Sequence, residues 1–186
     1  MNRSLPDPWL ILAVAGGLAY PLVVYLGMAV VPPLAMVLLG LSLIGLRLLA
    51  SRKLAGAGVW LGAFGLAACA LVALLLTDAG LAVKAYPVAV SLALAGVFGL
   101  SLVYPPSVVE RLARLSEPDL PPQGVAYTRK VTLVWVLFLL ANAGVSTATA
   151  LWGSLAQWTL WNGLLSYVAM GALFAAEFMT RRLVRR

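Results

Sequence analysis

The chain has 186 residues, 63% of them hydrophobic and 10% charged, where a soluble domain is about half apolar and about a quarter charged. So few charges exclude a water-soluble surface, and Pro8 to Leu46 holds none across 39 positions, against the roughly 20 that a helix needs to cross a bilayer core. The net charge of +7 clusters between apolar runs and at the C-terminus, which fits cations held beside anionic head groups and not a nucleic-acid binder.

The N-terminal stretch carries Arg3 and Asp7 before a long apolar run. It lacks a small-x-small cleavage site, so the first segment is expected to stay in the membrane. A first span is predicted over 9–29 and ends at Pro32-Pro33, where proline removes an amide donor and disfavours helix before it. A second span covers 33–49, with Arg47 near its inner end and able to snorkel to water, and Arg52 and Lys53 beyond it. A third covers 54–76; its Gly58 and Gly62 form a Gly-x-x-x-Gly, explained by packing within the bundle or by a homodimer. A turn over 77–83 leads to a fourth span over 84–104. Lys84, at its outer end, reads as an interfacial anchor or as a holder of an anionic head group.

The only sizeable polar segment is 105–130. Ser107 and Glu110 have capping-box spacing. Val108, Leu112 and Leu115 share one face, with Glu110, Arg111 and Arg114 elsewhere around the helix. This predicts a short amphipathic helix on the inner leaflet, stopped by Pro118, with Glu110, Arg111, Arg129 and Lys130 as candidates for docking a partner. Glu117 to Pro122 reads as a stiff extended linker.

A fifth span is predicted over 131–152 and a sixth over 158–179. Trp135, Asn142 and Thr149 are spaced by seven and share a face, while Asn162 and Ser166 share another. Polar side chains in hydrocarbon turn inward and pair across helices. Trp135, Asn142, Trp161, Asn162, Ser166 and Tyr167, with Lys84, are therefore either lipid- or solute-binding residues or interhelical glue, with Trp152, Trp158 and Trp161 as an aromatic belt. Tyr-Pro occurs at Tyr20-Pro21, Tyr86-Pro87 and Tyr104-Pro105 without an internal repeat.

Backbone groups in hydrocarbon must be satisfied within their own segment. The predicted fold is therefore all-α: a polytopic bundle of six transmembrane helices in one domain, with the short amphipathic helix between the fourth and fifth. With the N-terminus inside, twelve Lys and Arg residues fall inside and only Lys84 outside, which places both termini in the cytoplasm. There is no histidine, and Cys69 is the only cysteine. That excludes His-based general-base catalysis, His-ligated or thiolate-rich metal sites and an internal disulfide. The six acids form no close motif, so no metal or cofactor is expected and enzyme activity is disfavoured.

The second half carries a resemblance. The run from Pro105 through Glu110-Arg111, Leu120-Pro121, Arg129-Lys130, Trp135, Phe138 and Asn142 to Trp161-Asn162-Gly163 resembles a family of bacterial inner-membrane proteins encoded beside aryl-polyene and fatty-acid-like synthesis genes. It is more distantly similar to the intracellular septation protein A family. Gly163-Leu164-Leu165 follows Asn162 where that second family usually places a lysine. The resemblance covers 84–186 and implies a bacterial inner-membrane location and a role in the cell envelope, with no defined reaction. Three functions follow: a non-enzymatic scaffold or accessory factor in lipid-linked assembly, a small lipid or solute transporter, or a membrane-embedded acyl- or isoprenoid-processing enzyme. The partners implied are membrane lipids and other envelope-assembly proteins.

Overall fold

The computed structural model describes residues 8–52 and 56–184, with the side chains of Leu10 and of 182–184 left aside. Helix α1 is Pro8–Gly27, α2 Pro33–Ser51, α3 Ala57–Leu75 and α4 Ala79–Val103. The short α5, Val108–Arg114, precedes α6, Pro122–Trp152. The last span is α7, Leu155–Leu160, a π-helical turn over Trp161–Leu165, and α8, Ser166–Val184. No strand occurs among the described residues, so the chain is an all-α bundle.

Among the described residues five helical spans are long and apolar enough to cross a membrane: α2, α3, α4, α6 and α7–α8. The apolar part of α1, Ile11–Gly27, is shorter. Arg3, Lys53, Arg185 and Arg186, which the charge count uses, lie outside the described residues, as do Asp7 and the side chain of Arg182.

Local chemistry sets the boundaries. Pro33 occupies the first turn of α2, where its missing amide costs nothing. Gly56 precedes α3 at φ 76°, a left-handed backbone that favours glycine. The fourth helix starts earlier than the apolar run suggests. Asp78 caps it, its carboxylate accepting from the Leu81 amide at 2.8 Å, so 79–83 is helix and not turn. Likewise α6 starts at Pro122 and not near 131. Its 31 residues extend about 46 Å at ~1.5 Å per residue, well beyond a ~30 Å hydrocarbon core. Arg129 and Lys130 lie within the helix and do not mark where it begins. Ser154 and Gln157 form a reciprocal capping box that opens α7.

Neighbours in sequence are neighbours in space: α1 packs on α2, α2 on α3, and α3 on α4. The most extensive packing is α4 on α6, and α1 returns against α7 and the π turn to close the ring, with α2 touching α4 across it. Short connections make successive spans antiparallel. One end of the bundle therefore holds the start of α1, the α2–α3 turn, α5, the start of α6 and the end of α8. The other holds the α1–α2, α3–α4 and α6–α7 turns. The interior is built on Tyr20, Val24, Val37, Ile44, Leu71, Val83, Tyr86 and Trp158. Outward positions such as Leu26, Leu66 and Leu76 are highly exposed, as lipid-facing residues are.

Two of the Tyr-Pro pairs meet at the centre, which gives their recurrence a structural sense. The rings of Tyr20 and Tyr86 approach to 4.3 Å between centroids, and Gly40, lacking a side chain, leaves them room. Each proline sits inside its helix and withholds the amide that would serve the carbonyl four residues earlier. Pro87 thereby leaves Val83 O without a helical donor, and Tyr20 Oη donates to it at 2.9 Å. Pro21 leaves Gly17 O without one, and Tyr167 Oη donates to it at 3.3 Å. Prolines in membrane helices are tolerated when a neighbouring helix serves the freed group in this way.

Candidate functional site

The polar residues of the last two spans are drawn into helix–helix contacts. Ser146 Oγ donates to Asn162 Oδ1 at 2.6 Å, and both residues are buried. Asn162 Nδ2 in turn donates to Trp158 O at 2.9 Å. Ser166 Oγ donates back to Asn162 O at 3.4 Å, tightening the junction of the π turn and α8. Asn142 looks the other way: its Nδ2 donates to Ser91 Oγ on α4 at 3.0 Å, while its Oδ1 is buried without a partner among the described residues. Tyr167 reaches α1, as described above. Trp161 is part-buried, and its indole Nε1 has no hydrogen-bond partner among the described residues.

Lys84 is built into the far end of the bundle. Its ammonium donates to Ala150 O, in the last turn of α6, at 2.9 Å. Its own carbonyl accepts from Trp158 Nε1 at 3.1 Å. A cation on the orphan carbonyls of a helix C-terminus is favourable, so Lys84 joins three helices. Trp158 is fully buried beside it and belongs to the core. Of the three tryptophans expected in an aromatic belt, Trp152 is the exposed one.

At the opposite end, α5 packs on the bundle through its first turn. Its first turn is buried through Val108, Val109 and Glu110, while Leu112 and Leu115 are exposed. The anchors are polar: the Val108 amide donates to Ser101 Oγ at 3.0 Å and the Val109 amide to Thr132 Oγ1 at 3.4 Å. Ser107 caps the helix by accepting from the Glu110 amide at 3.3 Å. Glu110 Oε1 pairs with Arg114 at 2.8 Å, which allows a buried carboxylate on the packed side. Of the other docking candidates, Arg111 Nε donates to Pro106 O at 3.0 Å, and Arg129 and Lys130 are exposed on α6.

A groove of about 380 Å³ opens between α4, α5, α6 and α8. Its inner wall is apolar: Leu94 and Phe98 from α4, Trp135 and Leu139 from α6, Met170 and Phe174 from α8. Trp135 forms its floor, with Phe174 at 4.5 Å and Phe138 at 5.8 Å between ring centroids. Leu112 and Ala113 of α5 roof it, and Glu117, Glu177 and Arg181 stand at its mouth. Arg181 pairs with Glu177 at 2.6 Å. A second hollow of about 210 Å³ adjoins it, sharing Ala113, Glu117 and Arg181 and bounded by the more polar Gln123, Tyr127 and Thr128. Tyr127 Oη donates to Glu177 O at 3.4 Å, tying α8 to the start of α6.

An apolar trench that continues into a polar vestibule matches an amphiphile in shape and chemistry. Of the binding candidates predicted from sequence, Trp135 lines this groove; Asn142, Asn162, Ser166 and Lys84 do not. Leu94, Phe98, Met170 and Phe174 carried no signal, because one apolar residue among many does not announce a groove.

No protein-family model, curated protein or solved structure matches the chain. No group of three or more metal-ligating side chains occurs among the described residues.

Proposed function

We propose that this protein holds the acyl chain of an amphiphile in the α4–α5–α6–α8 groove, as a non-enzymatic accessory factor in lipid-linked assembly at the bacterial inner membrane. The groove carries the reading. An apolar wall built from three spans, with an ion pair and a polar vestibule at its mouth, suits a chain-bearing ligand whose head faces water. In this reading all six apolar segments span the membrane and both termini are cytoplasmic, as the twelve-to-one distribution of Lys and Arg supports. The groove mouth, at the end carrying α5, then faces the cytoplasm, where acyl chains are made and loaded. The resemblance to envelope proteins encoded beside fatty-acid-like synthesis genes points the same way. The partners are membrane lipids and neighbouring envelope-assembly proteins.

Photo-crosslinking tests this. The full chain in nanodiscs is exposed to a diazirine-bearing phospholipid, and labelled peptides are mapped. Labels are expected on α4, α6 and α8 around Trp135. Ala113→Trp, which fills the roof, should reduce that labelling severalfold while the protein still elutes as a folded species. Labelling of outward positions such as Leu66 equal to that of the groove, or unchanged by Ala113→Trp, refutes the reading. Tags at the two ends, probed from either side of the membrane, test the topology separately.

A further inference from the structure

Arg47 is the one arginine drawn into the body of the bundle among the described residues. Its Nη2 donates to Ala13 O of α1 at 3.2 Å. Its Nε is buried without a partner among the described residues. A Cβ built on Gly17 would lie 2.6 Å from Nη2 and 3.4 Å from Tyr86 Oη, so guanidinium and phenol both converge on Gly17. Tyr86 is buried to 3% exposure; its hydroxyl oxygen faces the Arg47 guanidinium within hydrogen-bonding reach, and its own O–H finds no acceptor among the described residues.

The location is deep. Ala13 and Gly17 are five and nine residues from the start of α1, which puts the guanidinium about 8–13 Å along that helix at ~1.5 Å per residue. Among the described residues no carboxylate answers it. Asp78 caps α4 at the far end, Glu110 and Glu177 are paired with Arg114 and Arg181, and Glu117 and Asp119 lie in the segment between α5 and α6.

The donors outnumber the acceptors. The two carbonyls freed by proline, Gly17 O and Val83 O, are taken by Tyr167 and Tyr20, and Ala13 O is taken by Arg47 itself. Left over are the buried Arg47 Nε–H and the Tyr86 O–H, donors with no acceptor to serve. An uncompensated cation with surplus donors, among transmembrane helices, lacks one thing: an acceptor that carries negative charge. Arg47 is only part-buried, so the site is not sealed.

We propose that Arg47 and Tyr86 form an intramembrane binding site for an oxyanion, with Tyr167 and Gly17 as its wall. Arginine binds planar and tetrahedral oxyanions through two N–H groups at once, and the Tyr86 hydroxyl supplies a third donor. The oxyanion arrives either as the carboxylate of an amphiphile or as a free inorganic ion. The site is separate from the groove and does not depend on it.

The test uses the full chain reconstituted in phosphatidylcholine nanodiscs, with radiolabelled palmitate and radiolabelled inorganic phosphate as probes and methyl palmitate as the uncharged competitor. At least one probe is expected to bind saturably. Arg47→Met should weaken it about tenfold or more, the loss of a hydrogen-bonded charge, and Arg47→Lys by less. Tyr86→Phe keeps the buried ring and removes only the hydroxyl beside Arg47, so it keeps the test decisive if Arg47→Met does not fold; it should weaken binding roughly threefold to tenfold. Trp135→Ala should leave the preference for the acid over the ester intact, which separates this site from the groove. Binding of palmitate alone assigns the oxyanion to an amphiphile; binding of phosphate as well assigns it to a soluble ion. If neither probe binds in an Arg47- or Tyr86-dependent way, or if the ester competes as well as the acid, the proposal is overturned.

Discussion

Tyr20→Phe removes one hydroxyl at the centre of the bundle. The ring and its contact with Tyr86 stay; lost is the hydroxyl that serves Val83 O at 2.9 Å and reaches Met36 O only at 3.5 Å. Because Pro87 has no amide to give, Val83 O is then left without its partner. Leaving a buried acceptor unsatisfied costs about 1–3 kcal/mol, and hydrogen bonds between membrane helices measure about 0.6–1.7 kcal/mol. We take about 1.5 kcal/mol, which lowers the melting temperature by roughly 3–6 °C for a chain of this size. The decisive step is the background. Pro87→Ala restores the amide at that position, which can donate to Val83 O within the helix. In that background Tyr20→Phe should cost under about 0.5 kcal/mol, a coupling of about 1 kcal/mol. Unfolding in detergent, followed by intrinsic tryptophan fluorescence on the four proteins of the cycle, measures it. Equal costs of Tyr20→Phe in the wild-type and Pro87→Ala backgrounds would show that the hydroxyl does not replace the missing amide, and would sink the argument.

Four further outcomes are expected. Lys84→Met removes the charged donor to Ala150 O and should destabilise by about 2 kcal/mol, with Lys84→Arg milder; a melting temperature indistinguishable from wild type would contradict the three-helix junction. Asn162→Ala should cost more than Ser146→Ala, since Asn162 both accepts from Ser146 and donates to Trp158 O; each interhelical bond is worth about 0.6–1.7 kcal/mol, and equal melting temperatures for the two variants would count against the ranking. Gly153→Ala places a Cβ 2.7 Å from the Thr149 carbonyl oxygen, a backbone atom that cannot yield, and should cost about 1–3 kcal/mol. By contrast, Gly58→Ala and Gly62→Ala meet no atom among the described residues and should raise the melting temperature slightly, through the better helix propensity of alanine.

The apolar runs placed the spans, because hydrocarbon leaves the backbone no alternative to helix. Their ends were less legible, and for one reason: a run of apolar residues marks the membrane, whereas a cap marks the helix. Asp78 and Pro122 begin helices several residues before hydrophobicity does. Ser154-x-x-Gln157 was readable as a capping box by the same spacing rule that identified Ser107. In α5 Leu112 and Leu115 are exposed, as apolar residues facing a leaflet are, but periodicity could not show the anchors of its first turn, Ser101 and Thr132 on neighbouring helices. The open space around Gly58, Gly62 and Gly65 likewise shows that packing within the bundle does not explain that motif. The polar faces of the last spans were correctly read as turned inward, but the sequence could not say that Asn142 pairs with α4 and Asn162 with α6.

Arg47 is the instructive case. Near the end of an apolar span, with Arg52 and Lys53 just beyond, it reads as a residue that snorkels outward to that end. The structure draws it the other way, against Ala13 and Gly17 of α1. The rule that decides this is elementary. Side chains on a helix lean toward its N-terminus, and α2 runs from the far end of the bundle toward the basic end. An arginine late in α2 therefore leans away from the nearest water, whereas one at the start of a span entering from the same end would lean toward it. Charge position alone does not distinguish the two; charge position together with helix direction does. Applied to Lys84, near the start of α4 and at the opposite end, the same rule directs the side chain outward to the helix termini. There it finds the last turn of α6, and not the bundle interior that Arg47 reaches.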